Sequence, residues 1–340
     1  MSSKRIALDV MGGDNAPGAI LDGALAACDP ASENPLTPSR ILLVGDEAVL
    51  RPALAQRNAP EGFEILHAPS VIGMDEKPAV ALRSKRDASI PVATGAVKQG
   101  LAGALVGMGN TGAMVGCATV VLGTLPGVRR PGIAVTLRLS DTPLTLLDMG
   151  ANIAPHAGDL MQYGVMGATL QRDCMGVENP RVGLLNIGEE KAKGTDLLKQ
   201  AGELLESTDL PFVGNVEGGD LFTGAVDVVV TDGFTGNVVL KLLEGFAGFM
   251  LGQVMRELAG HGADWAPTAL AKLKKNIDYA EYGGALLLGV DGVVIIGHGR
   301  SDATAVANAL RVAATALDVG VNRHIVTGLA NVPATDSAAG

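Results

Sequence analysis

Glycine-flanked polar loops carry the residues able to do chemistry in this chain. Gly107-Met108-Gly109-Asn110-Thr111-Gly112 matches G-x-G-x-x-G, follows an apolar run and opens a helical pattern. Met11-Gly12-Gly13-Asp14 stands in the same setting near the start. Gly150-Ala151-Asn152, the stretch from Gly188 to Thr195, Asp232-Gly233-Phe234-Thr235-Gly236-Asn237 and Gly297-His298-Gly299 complete the set. Helix starts present unpaired N–H groups and a partial positive charge. Glycine lets the backbone approach an anion without a Cβ in the way. Singly, each loop also reads as an ordinary turn and N-cap. Six together favour anion binding, with phosphate as the expected ligand.

The individual loops narrow the chemistry. The G-x-G-x-x-G fingerprint of a dinucleotide site wants an acid about 20 residues further on. Arg129-Arg130-Pro131 stands there, which removes the NAD ribose contact while leaving an NADP-type reading open. A phosphate or phosphopantetheine cradle suits the same loop. The Gly188–Thr195 stretch has Lys193-Gly194-Thr195 where a Walker A loop needs Gly-Lys-Ser/Thr, so nucleotide hydrolysis has no support. A lysine beside a helix start suits a phosphate; a solvated charge run is the other reading. His298, between two glycines, is open enough to donate to an anion or shuttle a proton, or it is a turn residue. Asp9 and Asp148 end apolar runs, where they could orient loop backbone or bind a cation. There is no H-E-x-x-H, no carboxylate cluster at metal spacing, no G-x-S-x-G and no cysteine in a catalytic signature. No metal and no cofactor is expected. Phosphate-type loops without a protein nucleophile suggest that the anion itself reacts or is transferred.

The elements that must position these loops follow one pattern. RIALDV, ALVG, LTLLDM, RVGLLNI, DVVVTD and GVVIIG each run into one of the loops, and a helical pattern follows each. Strands alternating with helices predict an α/β/α sandwich on a mostly parallel sheet, with ligands beyond the carboxyl ends of the strands. Asp291-Gly292 between two apolar runs predicts one antiparallel hairpin. No linker divides the chain, so residues 1–332 read as a single domain and 333–340 as a disordered tail. Residues 239–276 differ from the rest. Val239, Leu243, Phe246, Met250, Val254 and Leu258 form one helical stripe, and a short cation-ended second helix follows. This helical hairpin is expected as an addition to the sheet domain, serving as a dimer or membrane contact.

Composition bounds the function. The 340 residues carry 46 glycines, roughly twice the usual share. The net charge of −10 disfavours a general nucleic-acid binder. The three cysteines are widely spaced and read as reduced thiols in a cytosolic protein. The charge-free stretch 99–128 is long enough to span a bilayer but is broken by glycines, Asn110 and Pro126, so it reads as strand, loop and helix.

Together the motifs resemble the bacterial phosphate acyltransferase family. The likeness is collinear over about residues 4–330. It takes in ALDVMGGDNAP, KPAVALRSK, GNTGAMV, GVRRPGIAV, LLDMGAN, LLNIGEEKAKG, VGNVEGGDLF, TDGFTGNVVLK and DYAEYGGALLLGVDGVVIIGHGRSDA. The chain departs from the family at Ala102-Gly103-Ala104, usually Ala-Asp-Ala, and at Gly107-Met108, usually Ser-Ala. The resemblance implies a fold related to the isocitrate/isopropylmalate dehydrogenases and phosphotransacetylases. It also implies the reaction of acyl-[acyl carrier protein] with orthophosphate, giving acyl phosphate and free carrier. The product would feed phospholipid synthesis through a membrane glycerol-3-phosphate acyltransferase. Members are homodimers, cytoplasmic and peripherally membrane-associated.

On that basis Lys193 and His298 are the expected catalytic residues, His298 by protonating the leaving thiolate. Gly12, Gly13, Asp14, Asn110, Thr111, Gly112, Asn152, Gly188, Asp232, Thr235 and Asn237 are the expected phosphate and substrate contacts. An acidic carrier approaching an acidic chain needs a local basic patch, for which Arg129, Arg130, Lys272, Lys274 and Lys275 are the candidates. A phosphotransacetylase-like enzyme using acyl-coenzyme A, an NADP-linked dehydrogenase of related fold, and a non-enzymatic docking scaffold are the alternatives.

Overall fold

The computed structural model describes residues 4–32, 34–259, 265, 268–270 and 283–332. In chain order the elements are β1 (Ile6–Asp9), α1 (Gly18–Ala27), β2 (Ile41–Gly45), α2 (Glu47–Gln56), β3 (Glu64–His67), α3 (Pro78–Ser84), α4 (Ser89–Lys98), β4 (Ala104–Gly107) and α5 (Thr111–Cys117). Then come β5 (Gly132–Leu137), β6 (Leu144–Leu147), α6 (Ala157–Met175), β7 (Val182–Leu185), α7 (Asp196–Glu206), β8 (Phe212–Val216), β9 (Val228–Val230) and α8 (Gly233–Ala259). The last are β10 (Ala285–Leu288), β11 (Val293–Ile296), α9 (Ala303–Val319) and α10 (Val321–Ala330). All six expected strand–loop–helix units are present.

Where the sequence reads as one domain, the fold gathers into two compact units. One comprises Met1–Gly127 with Tyr282–His324, the other Val128–Glu281 with Ile325–Gly340. The chain passes between them more than once, which is why no linker shows in the sequence.

In the first unit the strand order is β3-β2-β1-β4-β11-β10. Every pair is parallel except β10 with β11, where Ala285 faces Ile296 and Leu286 faces Ile295. The hairpin expected around Asp291-Gly292 is therefore present. β1 and β4 are buried at every position, as strands covered on both faces must be, and α4 and α9 pack on both. Each fully buried Leu or Ile in this layer contributes on the order of 1.5–3 kcal/mol. The adjacent strands β1, β4 and β11 run parallel, so the loops MGGDN, MGNTG and HGRS leave the same edge.

The second unit has the order β5-β6-β9-β7-β8, with β6, β9, β7 and β8 mutually parallel. β5 is antiparallel to β6, Val135 facing Leu146. This second antiparallel pair was not expected; its signal is the turn cluster Ser140-Asp141-Thr142-Pro143 between two apolar runs. The loops after β6, β9 and β7 share one edge. Each unit thus has an antiparallel strand, then parallel strands, the second of which (β4 or β9) is followed by a G-x-T-G turn. Gly109-Asn110-Thr111-Gly112 opens α5 and Gly233-Phe234-Thr235-Gly236 opens α8.

The 239–276 region is partly described. α8 is a single 27-residue helix, and residues 268–270 are helical. The rest of the expected second arm, including Lys272, Lys274 and Lys275, lies outside the described residues, as does the tail 333–340. The expected stripe is not a buried face. Val239, Leu243 and Leu258 are half-buried, while Phe246, Met250 and Val254 are exposed. The most exposed apolar line is Phe234, Val238, Leu242, Phe246 and Phe249, at steps of 4, 4, 4 and 3. From Lys241 to Leu258 no residue is fully buried.

Candidate active site

In the first unit the loops interlock around Asp9, which ends β1 and is wholly buried. Its Oδ1 accepts the backbone N–H groups of Met11 and Gly12 at 3.1 and 3.2 Å. Its Oδ2 lies against the Gly12 and Gly109 turns; a Cβ on Gly12 would sit 2.5 Å from Oδ2 and 2.9 Å from Gly109 Cα. Only glycine allows the two loops to approach this closely. Burial raises the Asp9 carboxyl above the usual carboxylate range, opposed by Ser89 and the Met11 and Gly12 amides. The Ser89 hydroxyl faces the carboxyl without hydrogen-bond geometry. Asp9 therefore orients loop backbone, one of the two roles read from the sequence. Because the Gly12 N–H is committed to Asp9, it is not the anion donor that the sequence suggests.

Asn110 is committed as well. Its Oδ1 caps α5 at Ala113 N, 3.0 Å away, and its Nδ2 reaches the carbonyls of Gly73, Met74 and Glu76 at 3.0–3.2 Å. Asn110 thus staples a distant loop to the start of α5. Thr111 and Gly112 follow it in the first turn. Asp14 donates its backbone N–H to Gly299 O at 2.8 Å, and Asn15 Nδ2 reaches the carbonyls of Arg300 and Ser301 at 3.3 Å. Gly13 (φ +100°) makes the turn between them. The unit thereby brings together Gly12, Gly13, Asp14, Asn110, Thr111, Gly112 and His298.

Gly112 has a packing role. A Cβ there would lie 2.6 Å from Pro78 Cγ, at the start of α3. Gly112→Val is therefore expected to lower the melting temperature together with activity, rather than to affect phosphate use alone. A variant with wild-type melting and a raised phosphate KM would show that the residue serves only the anion.

The second unit is built around Asp148, fully buried after β6. Its carboxyl accepts N–H groups from Ile133, Gly150, Ala151 and Asn152 at 2.7–3.0 Å. Burial raises its pKa and these donors pull it back. Asn152 Nδ2 bonds Pro131 O at 2.6 Å and Tyr163 Oη at 2.8 Å, so this side chain is structural. Burial, with Asp148 and Asp159 nearby, pushes the Tyr163 phenol well up. Asp232 accepts from Thr235 N at 2.9 Å and from Thr235 Oγ1 at 2.7 Å, capping α8. Gly233 N donates to Asn152 O at 2.8 Å, which seats the start of α8 on the β6 loop. Asn237 is exposed one turn on. Sequence reasoning missed Tyr163, and it placed Gly233 and Gly236 in the loop without naming them as contacts; the repeated G-x-T-G was the signal for the glycines.

Lys193 sits in the loop after β7. Asn186 Nδ2 donates to Lys193 O at 3.2 Å, and Lys193 N donates to Glu190 O at 3.0 Å. Its stem passes over Gly188, and its side chain is exposed. Lys191 pairs with Glu206 instead, while Lys193 makes no ion pair among the described residues. The reading of this stretch as an undifferentiated charge run is thereby replaced: the loop is built, and one lysine is presented by it.

Arg129 corrects a carrier-docking expectation. Its Nε and Nη2 grip the buried Asp159 at 2.7 and 2.6 Å, which raises the guanidinium pKa further. Its charge is paired within the fold although its side chain is 47% exposed, and Arg130 beside it is exposed as well.

The comparisons with known proteins bear on this arrangement. Residues 4–324 match the family model described as fatty acid synthesis protein. A phosphate acyltransferase from Nitratidesulfovibrio vulgaris is 44% identical over 337 residues, covering 97% of this chain and 96% of that one. One from Heliobacterium modesticaldum is 49% identical over 316 residues, covering 91% and 92%. The chain belongs to the phosphate acyltransferase family. Solved structures similar in fold include a Streptococcus pyogenes phosphotransacetylase, at TM-score 0.61 and 18% identity over 92% of this chain and 94% of that one. A putative 4-hydroxythreonine-4-phosphate dehydrogenase from Salmonella typhimurium has TM-score 0.53 and 16% identity, covering 92% and 99%. These likenesses show the expected α/β fold.

For a phosphate acyltransferase the thiols matter, since a cysteine would be the alternative acyl acceptor. Burial pushes Cys28 up to about 11 and Cys174 up to about 12, and it raises Cys117 also. None is primed as a nucleophile.

Proposed function

We propose that this chain transfers the acyl group of an acyl-[acyl carrier protein] thioester to orthophosphate, releasing the carrier thiol and an acyl phosphate. The observation that carries this reading is the presented Lys193 in a chain whose thiols are all held protonated by burial. A thioester is already activated, so the protein need only orient phosphate and stabilise the oxyanion. Lys193 neutralises the phosphate as its oxygen attacks the carbonyl carbon. The test is phosphate-dependent appearance of free thiol, run with acyl carrier protein and with coenzyme A thioesters. Release from the carrier alone supports the proposal. Release only from coenzyme A favours a phosphotransacetylase-like enzyme, and no phosphate dependence rejects both. In the same assay Arg130→Glu should raise the carrier KM at low salt and less at high salt. A salt-insensitive KM removes Arg130 from the docking surface.

The acyl phosphate is labile in water and carries an apolar chain. Delivery to a membrane glycerol-3-phosphate acyltransferase is the use we propose, from a cytoplasmic homodimer in weak peripheral contact with the bilayer. The exposed line Phe234, Val238, Leu242, Phe246 and Phe249 supports one of these contacts, and Trp265, 66% exposed, adds to it. Gly233–Leu258 is long and apolar enough to cross a bilayer by length and composition alone. Its first turn, however, is bonded into the β6 loop, which favours lying on a surface over spanning it. Leu242→Glu with Phe249→Glu is expected to abolish pelleting with anionic vesicles or to convert dimer to monomer in sedimentation. A double variant unchanged in both would free this face of either role.

A further inference from the structure

At the strand ends of the second unit three large apolar side chains are left exposed. β6, β9 and β7 are parallel neighbours, with Leu147 level with Val230 and Val230 level with Leu184. The loop that leaves each strand exposes one of the three. Ile153 is 75% exposed after β6, Phe234 65% after β9 and Ile187 82% after β7. Single exposed apolar residues are ordinary, but one on each of three adjacent loops at one edge makes a patch. A backbone bond brings two of these positions together. Gly233 N donates to Asn152 O at 2.8 Å, so Phe234 and Ile153 each follow directly on a bonded partner. Ile187 is fixed in the same loop as Lys193. Its N–H donates to Asn186 Oδ1 at 2.8 Å, while Asn186 Nδ2 holds Lys193 O at 3.2 Å. The lysine stem crosses Gly188, the next residue, with Cγ 3.2 Å from where a Cβ would stand. Folding buries Gly233, Asn186 and Gly188, beside these residues in the chain, and leaves the apolar side chains out. All of them belong to the second unit.

We propose that Ile153, Ile187 and Phe234 form the landing for the acyl chain of the thioester, and that they set a preference for long chains. The proposal rests on the acyl-to-phosphate reading given above. In that reaction the phosphate paired with Lys193 must touch the carbonyl carbon, so the first carbons of the chain lie beside the lysine loop. The apolar surface at that edge is Ile187, with Phe234 and Ile153 on the next two strands, which lie about 5 Å apart. A chain too long for the edge continues on Val238 and Leu242, which follow Phe234 along α8 at steps of about 6 Å. A methylene chain gains by leaving water on such a surface and needs no polar partner there, so affinity grows with each carbon covered. A carrier surface or a second copy of this chain seated on the patch would leave chain-length preference untouched.

The test compares a hexadecanoyl with a butanoyl carrier thioester in the phosphate-dependent thiol assay, on the full chain. Wild type is expected to favour the longer chain in kcat/KM. Ile187→Ser, Ile153→Ser and Phe234→Ser are each expected to lower the long-to-short ratio about 3- to 10-fold, mainly through the KM of the long substrate. Ile187→Val keeps the apolar surface and should stay within about twofold of the wild-type ratio, as should Val120→Ser, a control 84% exposed in the first unit. Ile187 is exposed, so its variants should fold and the ratio stays readable whatever Phe234→Ser does to the start of α8. A wild type indifferent to chain length, or an Ile187→Ser ratio equal to that of wild type, overturns the proposal. Equal losses on both substrates give the same flat ratio and assign the patch to a protein contact. If wild type releases no thiol with phosphate from either substrate, the acyl-transfer reading fails, and this inference with it.

Discussion

Lys193→Ala is expected to lower turnover about 10²-fold, the scale of removing one preorganised donor to a developing charge. The loop that carries the lysine is fixed from several sides. Asn186 holds its carbonyl and also accepts the Ile187 N–H at 2.8 Å, and Asn215 Nδ2 holds Glu190 O at 3.0 Å. Gly194, at φ +85°, closes the turn where a Cβ would lie 2.5 Å from Asn186 Oδ1. None of these contacts uses the Lys193 ammonium. The side chain is exposed, so its removal should change stability by no more than about 0.5 kcal/mol. Loss of rate at an unchanged melting temperature is the expected pair of readings, with the phosphate KM raised as well. Near-wild-type kinetics in the folded variant would reject Lys193 as the phosphate contact.

Gly236→Ala should have the largest effect on stability. A Cβ at Gly236 would stand 2.0 Å from the Asp148 carbonyl oxygen and 2.7 Å from Met149 Cε. The methionine tip can swing away; the carbonyl cannot, because Asp148 is fully buried and its side chain is bonded to four backbone amides. The start of α8 would have to lift off the β6 loop, breaking the Gly233 N to Asn152 O bond. A loss of about 3 kcal/mol or outright unfolding follows, at the upper end of overpacking effects. Gly245→Ala in the same helix is the control. It is exposed, with nothing within 4 Å of an added Cβ, so helix propensity should stabilise it by about 0.5–1 kcal/mol. Urea midpoints measure both. Equal midpoints for Gly236→Ala and wild type would mean that the seat of α8 is not rigid.

The strand–loop–helix units and the family were legible from the order of residues alone. VVV in β9 and ALVG in β4 are continuous apolar runs because they are buried on both faces, and that burial is legible without knowing the partner strand. Helix starts were legible for a similar reason. Asn110, Thr195 and Asp302 each bond an amide three residues on, a contact that depends only on local spacing. Which polar groups remain for a substrate was not legible, because it depends on long-range packing. Asn110, which looks like an anion ligand, has its amide on carbonyls 34 to 37 residues away. Arg129 looks like a docking cation and is held by Asp159, 30 residues on. The exposed line of α8 shares Phe246 with the stripe read from its apolar spacing but elsewhere falls one residue before it, at Val238, Leu242 and Phe249, because the seat at Gly233 and Gly236 sets the helix's rotation. Spacing along a chain fixes which groups can meet within a turn or two. Whether a donor is already satisfied depends on residues that only packing brings to it, and no local pattern records them.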